Sequence, residues 1–243
     1  MRLDTSHATS FDVQRNMLSE YLVSLCRARR VDITLAEKVI EALDALDARQ
    51  FDTIQRSTLD EPSRRGNSYL DVCQHMSKAM RLYLAFIEKN KKNRKYVEKT
   101  KANRRMLDIG SGSGAFCFLS NALGHHAIGM DLPRTDKASA VLSSSYELTQ
   151  WYHVDVIEHA IAPSKPLPLL ERSLDDVVIF NPTFYKQWRE QDWDFLFDEL
   201  TKCVTKDESE LYIKINTPKM KTAGGRATHT TSSSGRWSSE TTG

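Results

Sequence analysis

Three glycines at alternate positions, Gly110, Gly112 and Gly114, follow directly on the apolar run Met106, Leu107 and Ile109 and precede the helical pattern AFCFLSNALG, which Gly124 closes. Glycines so spaced let the backbone take positive φ and approach a ligand where a Cβ would intrude. A helix begun there turns its free N–H groups and positive dipole end toward that ligand. Two acids narrow the choice of ligand. Asp108, two residues before the first glycine, suits an ammonium group and would repel a pyrophosphate. Asp131 follows the second apolar segment, AIGMDL, at about the 20-residue distance from which an acid reaches ribose hydroxyls. Gly110, Gly112 and Ala115 also satisfy G-x-G-x-x-G/A, so a dinucleotide and a purely structural turn stay open as alternatives.

The run Asp108-Ile-Gly-Ser-Gly-Ser-Gly114, followed by Gly129-Met-Asp131-Leu, resembles the first two motifs of the Rossmann-like class I S-adenosylmethionine-dependent methyltransferases. The resemblance implies that Asp108, Gly110, Ser111, Gly112 and Gly114 hold the methionine part of S-adenosyl-L-methionine, and that Asp131, with Leu132 beside it, holds the ribose. It implies further that Asp155, taken as the end of a third strand WYHVDV, reaches the adenine amino group, with Val156 against the ring. After the fourth strand, DDVVIF, the turn Asn181-Pro182-Thr183-Phe184 is similar to the [D/N]-P-P-[Y/F] turn of methyltransferases acting on planar nitrogens, and Asp176 stands at the spacing of their strand acid. Thr183 replaces the second proline of that pattern. Asn181 and Tyr185 are the acceptor-side candidates.

A second resemblance points elsewhere. Lys165-Pro-Leu-Pro-Leu-Leu-Glu-Arg-Ser-Leu-Asp175, with Trp193-Asp-Phe-Leu-Phe-Asp-Glu-Leu200 downstream, is similar to a group of small bacterial class I methyltransferases whose acceptors are mostly unknown. Small molecules or glycans are slightly favoured as acceptors on that comparison. The alternatives are an N-methyltransferase acting on RNA or protein through Asn181–Phe184, and a non-catalytic RNA-binding or scaffold protein that keeps the fold.

The elements that must position these residues divide the chain into three. Residues 1–104 read as a helical region ending in a basic linker. Phe11, Met17, Leu18, Tyr21, Leu22 and Leu25 make one helix face, and Thr34-Leu-Ala-Glu37 reads as a capping box before a second helix. DEPSRRGN, residues 60–67, carries turn chemistry, and Leu70, Cys73, Met76, Met80, Tyr83, Leu84 and Ile87 form the stripe of a third helix.

Residues 105–217 then alternate strands and helices, the pattern of βαβ units and a parallel sheet. Strands are expected near 105–109, 127–131, 151–155, 176–180 and 210–215, with helices near 115–123, 136–149 and 189–204. The expected fold class is α/β: a Rossmann-like parallel sheet of about five strands in the order 3-2-1-4-5, lacking the last two strands of a full methyltransferase sheet. Residues 218–243, rich in Ser, Thr and Gly, are expected to be a disordered tail. That leaves the fifth strand an open edge suited to a homodimer unless a helix, a partner chain or the tail covers it.

Charge and cysteine usage set outer bounds. The net charge of +2 gives no strong attraction of the whole chain to nucleic acid or membrane. Residues 88–105 hold nine Lys or Arg against two Glu, but Tyr96 is the one aromatic there, so a solvated linker is favoured over an RNA site. Cys26, Cys73, Cys117 and Cys203 show no C-x-x-C pair and no zinc spacing with His125, His126, His153 or His159, so no metal site is expected. Reduced thiols, no apolar stretch of bilayer length and no continuous apolar leader in MRLDTSHATSFDVQRNML point to a cytoplasmic protein away from membranes. In the aromatic group after the fourth strand, Trp193 is expected in the core and Tyr185 nearer the pocket.

Overall fold

The computed structural model describes residues 11–51, 69–90, 103–133, 147–180, 188–205, 209–214 and 234–235. The turn at 60–67, most of the basic run, the Asn181–Tyr185 segment and most of the tail lie outside these residues. Helices α1 (Phe11–Ala28), α2 (Thr34–Asp44) and α3 (Tyr69–Asn90) precede an alternating unit. That unit comprises β1 (Arg105–Ile109), α4 (Ala115–Ala122), β2 (His126–Asp131), β3 (Val156–Glu158), β4 (Asp176–Phe180), α5 (Glu190–Cys203) and β5 (Glu210–Lys214), and a short β6 (Ser234–Gly235) follows.

The sheet order is β3-β2-β1-β4-β5-β6, with the first five strands parallel. The expected order 3-2-1-4-5 is therefore the observed one. The sixth strand is antiparallel and comes from the tail, pairing Tyr212 with Ser234 and Leu211 with Gly235. This corrects the expectation of a wholly disordered tail: an unpaired ladder of N–H and C=O groups on β5 is a template for any extended segment, and this chain supplies its own.

Side-chain alternation sends the strands' apolar groups to two cores. Met106, Val178, Phe180 and Tyr212 join α1, α2, α3 and α4 on one face, while Leu107, Ile109, Val177, Ile179 and Leu211 pack with Leu196, Leu200 and Cys203 of α5 on the other. The period of two also sets Asp108 on the Met106 side, beneath the N-terminal helices. Each fully buried aliphatic side chain contributes roughly 1.5–3 kcal/mol.

On that face five rings form a chain that starts and ends on α3. Tyr83 of α3 meets Phe116 at 6.5 Å, Phe116 meets Phe180 at 5.0 Å, Phe180 meets Tyr212 at 5.6 Å and Tyr212 meets Phe86 of α3 at 6.1 Å. All four cysteines are free and buried.

Two local expectations are corrected. The third strand is Val156–Glu158, not 151–155. Residues 147–151 are helical, Trp151 and Tyr152 pack on Phe51 and Phe118, and His153 takes φ 52, which ends any extended run there. At α2 the capping box does not form: the Thr34 N–H donates to Asp32 Oδ1 at 3.0 Å, so the cap comes from two residues upstream. Asp176, the acid at the spacing of the strand acid, is the first residue of β4. It lies beside Met106, fully buried, and receives both Nε and Nη2 of Arg104, the latter at 2.6 Å. Arg105 likewise pairs with Asp175 at 3.1 Å, so the last two residues of the basic run are bound to the sheet's amino edge.

Elsewhere the Leu167 N–H donates to Glu199 Oε2 at 3.1 Å, which ties the Pro-Leu-Pro turn to α5. Trp193, half-buried, packs on Trp188 at 5.2 Å and on Phe197 at 5.8 Å, against the α5 core.

Candidate functional site

The carboxyl ends of β1 and β2 and the N-terminus of α4 converge on residues 110–114. Gly110, Gly112 and Gly114 have φ of 76°, 55° and 72°, the left-handed region the sequence reading required. The turn is stitched to β2: Gly110 N–H donates to Met130 O at 2.8 Å, and Gly112 N–H donates to Asp131 Oδ2 at 2.6 Å. The other Asp131 oxygen accepts the Leu132 N–H at 2.8 Å.

Space differs along the turn. A Cβ at Gly112 would meet nothing within 4 Å, so the backbone there faces an open cradle. A Cβ at Gly114 would come to 3.0 Å of Thr149 Cγ2, because the start of α4 packs against the helical residues 147–151. The tightest seat is Gly129 on β2, where a Cβ would lie 2.5 Å from Ser111 Oγ and 2.9 Å from Ser111 Cβ. Gly129 is therefore a positioning residue for the turn. Its place two residues before Asp131 was visible in the sequence, but the contact with Ser111 was not.

Asp108 lies beneath the turn, 4% exposed. Burial pushes its carboxyl up to about 7 and the Asp131 carboxylate adds to the rise, while Lys78 of α3 acts against it. A cation arriving at Asp108 thus meets a group ready to give up a proton near neutrality. His159, just after β3, is tied to the same edge by its backbone N–H, which donates to Asp131 O at 2.8 Å; burial, with Lys165 nearby, lowers the pKa of its ring.

The structure thus brings together Asp108, Gly110, Ser111, Gly112, Gly114, Asp131 and Leu132. It sets Asp155 and Val156 apart. Val156 pairs with Gly129 and Glu158 pairs with Asp131, so Asp155 stands at the start of β3, three residues below the ligand edge. At about 3.3 Å per residue that is roughly 10 Å. The adenine role expected of Asp155 has no support in this geometry, and the acid level with Asp131 is Glu158. Asn181 and Tyr185 follow β4 but lie outside the described residues.

Two hollows among the described residues lie elsewhere. One of about 300 Å³ is bounded by Arg15, Asp44, Phe51, Tyr69 and Trp151, and a more open one of about 420 Å³ by Lys38, Glu41, Ala122 and Leu123. Neither carries the convergent amides and carboxylates of the glycine turn, so chemistry rather than volume marks the site. Among the described residues no group of three His, Cys, Asp or Glu is placed to hold a metal ion, and no helix is long and apolar enough to cross a membrane.

The parallel order 3-2-1-4-5, with a glycine turn at the end of the central β1, decides the fold. It is Rossmann-like. No family model matches the chain, and no curated protein matches it. Among solved structures, a protein from Pyrococcus horikoshii is 17% identical over 54% of this chain and 58% of its own, with a TM-score of 0.39. An S-adenosylmethionine-dependent methyltransferase from Thermotoga maritima is 18% identical over 49% and 48%, TM-score 0.34. A TehB-like S-adenosylmethionine-dependent methyltransferase from Corynebacterium glutamicum is 13% identical over 49% and 59%, TM-score 0.37. The chain spans about half the length of these structures.

Proposed function

We propose that this chain is an S-adenosylmethionine-dependent methyltransferase whose acceptor is a small molecule or glycan in preference to RNA or protein. The observation that carries the reading is the pair of carboxylates on either side of one glycine turn. Asp108 is buried beneath it and Asp131 is held on the Gly112 amide. The residues fit the cofactor. Asp108 matches the ammonium of its amino-acid part, the open backbone at Gly112 leaves room for a close approach, and each Asp131 oxygen keeps a second lone pair for a ribose hydroxyl. A pyrophosphate would face Asp108 and Asp131 together, which disfavours the dinucleotide.

The bound cofactor supplies an electrophilic methyl on sulfur. The protein's part is placement: the turn orients one reactant, and the segment after β4, with Asn181 and Tyr185, is where the acceptor is proposed to sit. Transfer in line needs a base only for acceptors that must first lose a proton. The four buried free thiols accord with a reducing, cytoplasmic compartment.

Isothermal titration with S-adenosylmethionine tests the reading. Binding is expected to weaken by about 10- to 100-fold in Asp131→Ala, which loses a charged acceptor. No binding by the wild type would sink the enzyme and leave the scaffold alternative, whereas binding of the reduced nicotinamide dinucleotide instead would restore that class. Methyl-label transfer into extract split by chemical class then identifies the acceptor.

A further inference from the structure

The hollow of about 300 Å³ between α1, α2 and Trp151 has a floor and a rim of different chemistry. Its floor is aromatic: Phe51 meets Tyr69 at 5.8 Å and 85°, and Trp151 at 4.7 Å and 43°. All three rings are buried, so the surrounding side chains hold them in place. The Trp151 indole is further fixed by its Nε1–H, which donates to Asp47 O at 3.0 Å. At the rim, Arg15 of α1 spans both oxygens of Asp44 at the end of α2, through Nε at 2.6 Å and through Nη2. The two side chains of this pair are 36% and 37% exposed, so both can meet whatever enters.

The rim carries an excess of negative charge. Asp12, exposed and one turn before Arg15 on α1, also bounds the hollow, so two carboxylates stand against one guanidinium. Helix α2 ends at Asp44 with no basic residue in its last turn, and its negative end adds charge of the same sign. An anion would be repelled, because the one cation of the rim is already held by Asp44. A strongly hydrated inorganic cation gains little either: the ring floor offers it no oxygen ligands, and among the described residues no three His, Cys, Asp or Glu gather to replace its water. A cation that carries its own apolar surface satisfies both layers. We propose that this hollow is a second ligand site, for a small alkylated ammonium whose alkyl groups rest on Phe51, Tyr69 and Trp151 and whose charge faces Asp12 and Asp44. The site shares no residue with the glycine turn and stands whether or not the chain transfers methyl groups.

The test titrates tetramethylammonium chloride into the full chain and follows the broadening of the ligand's methyl proton resonance. Tert-butanol, titrated separately, keeps the methyls without the charge, and sodium chloride as competitor keeps the charge without the methyls. Saturable binding is expected for tetramethylammonium and none for tert-butanol, and an equal concentration of sodium chloride should weaken the binding by less than about twofold. Asp12→Asn should weaken it about threefold or more. Arg15→Gln and Asp44→Asn break the same ion pair but act oppositely on the rim. Arg15→Gln leaves both carboxylates unopposed and should bind about twofold or more tighter, whereas Asp44→Asn turns a free guanidinium on the ligand and should bind about tenfold or more weaker. Opposite signs from one broken pair separate charge from damage to the fold, and melting curves of the two variants measure the structural cost they share. No saturable binding by the wild type, equal binding of tert-butanol, or a change in the same direction in Arg15→Gln and Asp44→Asn would each overturn the proposal.

Discussion

Gly112 gives its backbone N–H to the Asp131 carboxylate across 2.6 Å, so the acid proposed to meet the ribose is also the one that holds the glycine turn in shape. Removing that side chain acts on affinity and on the turn together. The remaining positions separate the two effects.

Asp108 gives a pH signature. Its pKa in the folded chain, about 7, lies above the ordinary 3.8, so the folded state holds the extra proton between those values. Its contribution to stability is complete below about pH 4 and is lost as pH rises through about 7. Asp108→Asn is expected to raise the melting temperature relative to wild type at pH 8 and to change it little at pH 4. The ceiling is about 4 kcal/mol, at about 1.4 kcal/mol per pH unit. Cofactor binding has the opposite slope, because an ammonium prefers the carboxylate: wild-type affinity should increase from pH 6 to 8, with proton release seen as a buffer-dependent heat. A flat profile in both measurements counts against the assignment.

Gly129 and Ser111 make a lock whose two halves can be exchanged. Gly129→Ala places a methyl 2.5 Å from Ser111 Oγ and 2.9 Å from its Cβ, so the turn must shift. A loss of about 1–3 kcal/mol in urea unfolding and weaker cofactor binding are expected. Ser111→Gly on the Gly129→Ala background should recover both, and recovery of neither would show that the seat is not the cause.

Arg104 and Asp176 test the amino edge as a purely structural site. Breaking this buried pair with Arg104→Met leaves an uncompensated carboxylate and should cost about 3–5 kcal/mol. Arg104→Met/Asp176→Leu should recover most of that, because two apolar groups demand no counter-charge. Cofactor affinity per folded molecule should be unchanged in either, which titration below the melting range would show.

The tail strand is a cover. Deleting residues 218–243 bares the ladder of β5 at Leu211 and Tyr212 and should produce concentration-dependent association by light scattering. Unchanged scattering would mean that β6 contributes nothing to edge protection.

Strands β1, β2, β4 and β5 were legible because a strand buried on both faces must be an uninterrupted apolar run, and a glycine triplet after such a run has few other uses. The third strand was misread for a related reason. Trp151, Tyr152 and Val154 are buried like strand residues, but against Phe51, Phe118 and the start of α4. Hydrophobicity reports burial, and only backbone geometry such as the φ of 52° at His153 tells a turn from a strand.

Pairing over distance was likewise hidden. Nothing near Arg104 names Asp176 as its partner.

The chain of rings Tyr83, Phe116, Phe180, Tyr212 and Phe86 bears, on the methyl-transfer reading, on how acceptor choice can change. It seats α3 and Phe180, the last residue of β4, on the same few side chains. The helix and the end of β4 are thereby held in one packed relation. A conservative exchange such as Phe116→Leu, buried and touching no reactant, would tilt one against the other. On the methyl-transfer reading, selectivity is open to drift from beneath the surface, through packing, as readily as through the residues proposed to face the acceptor.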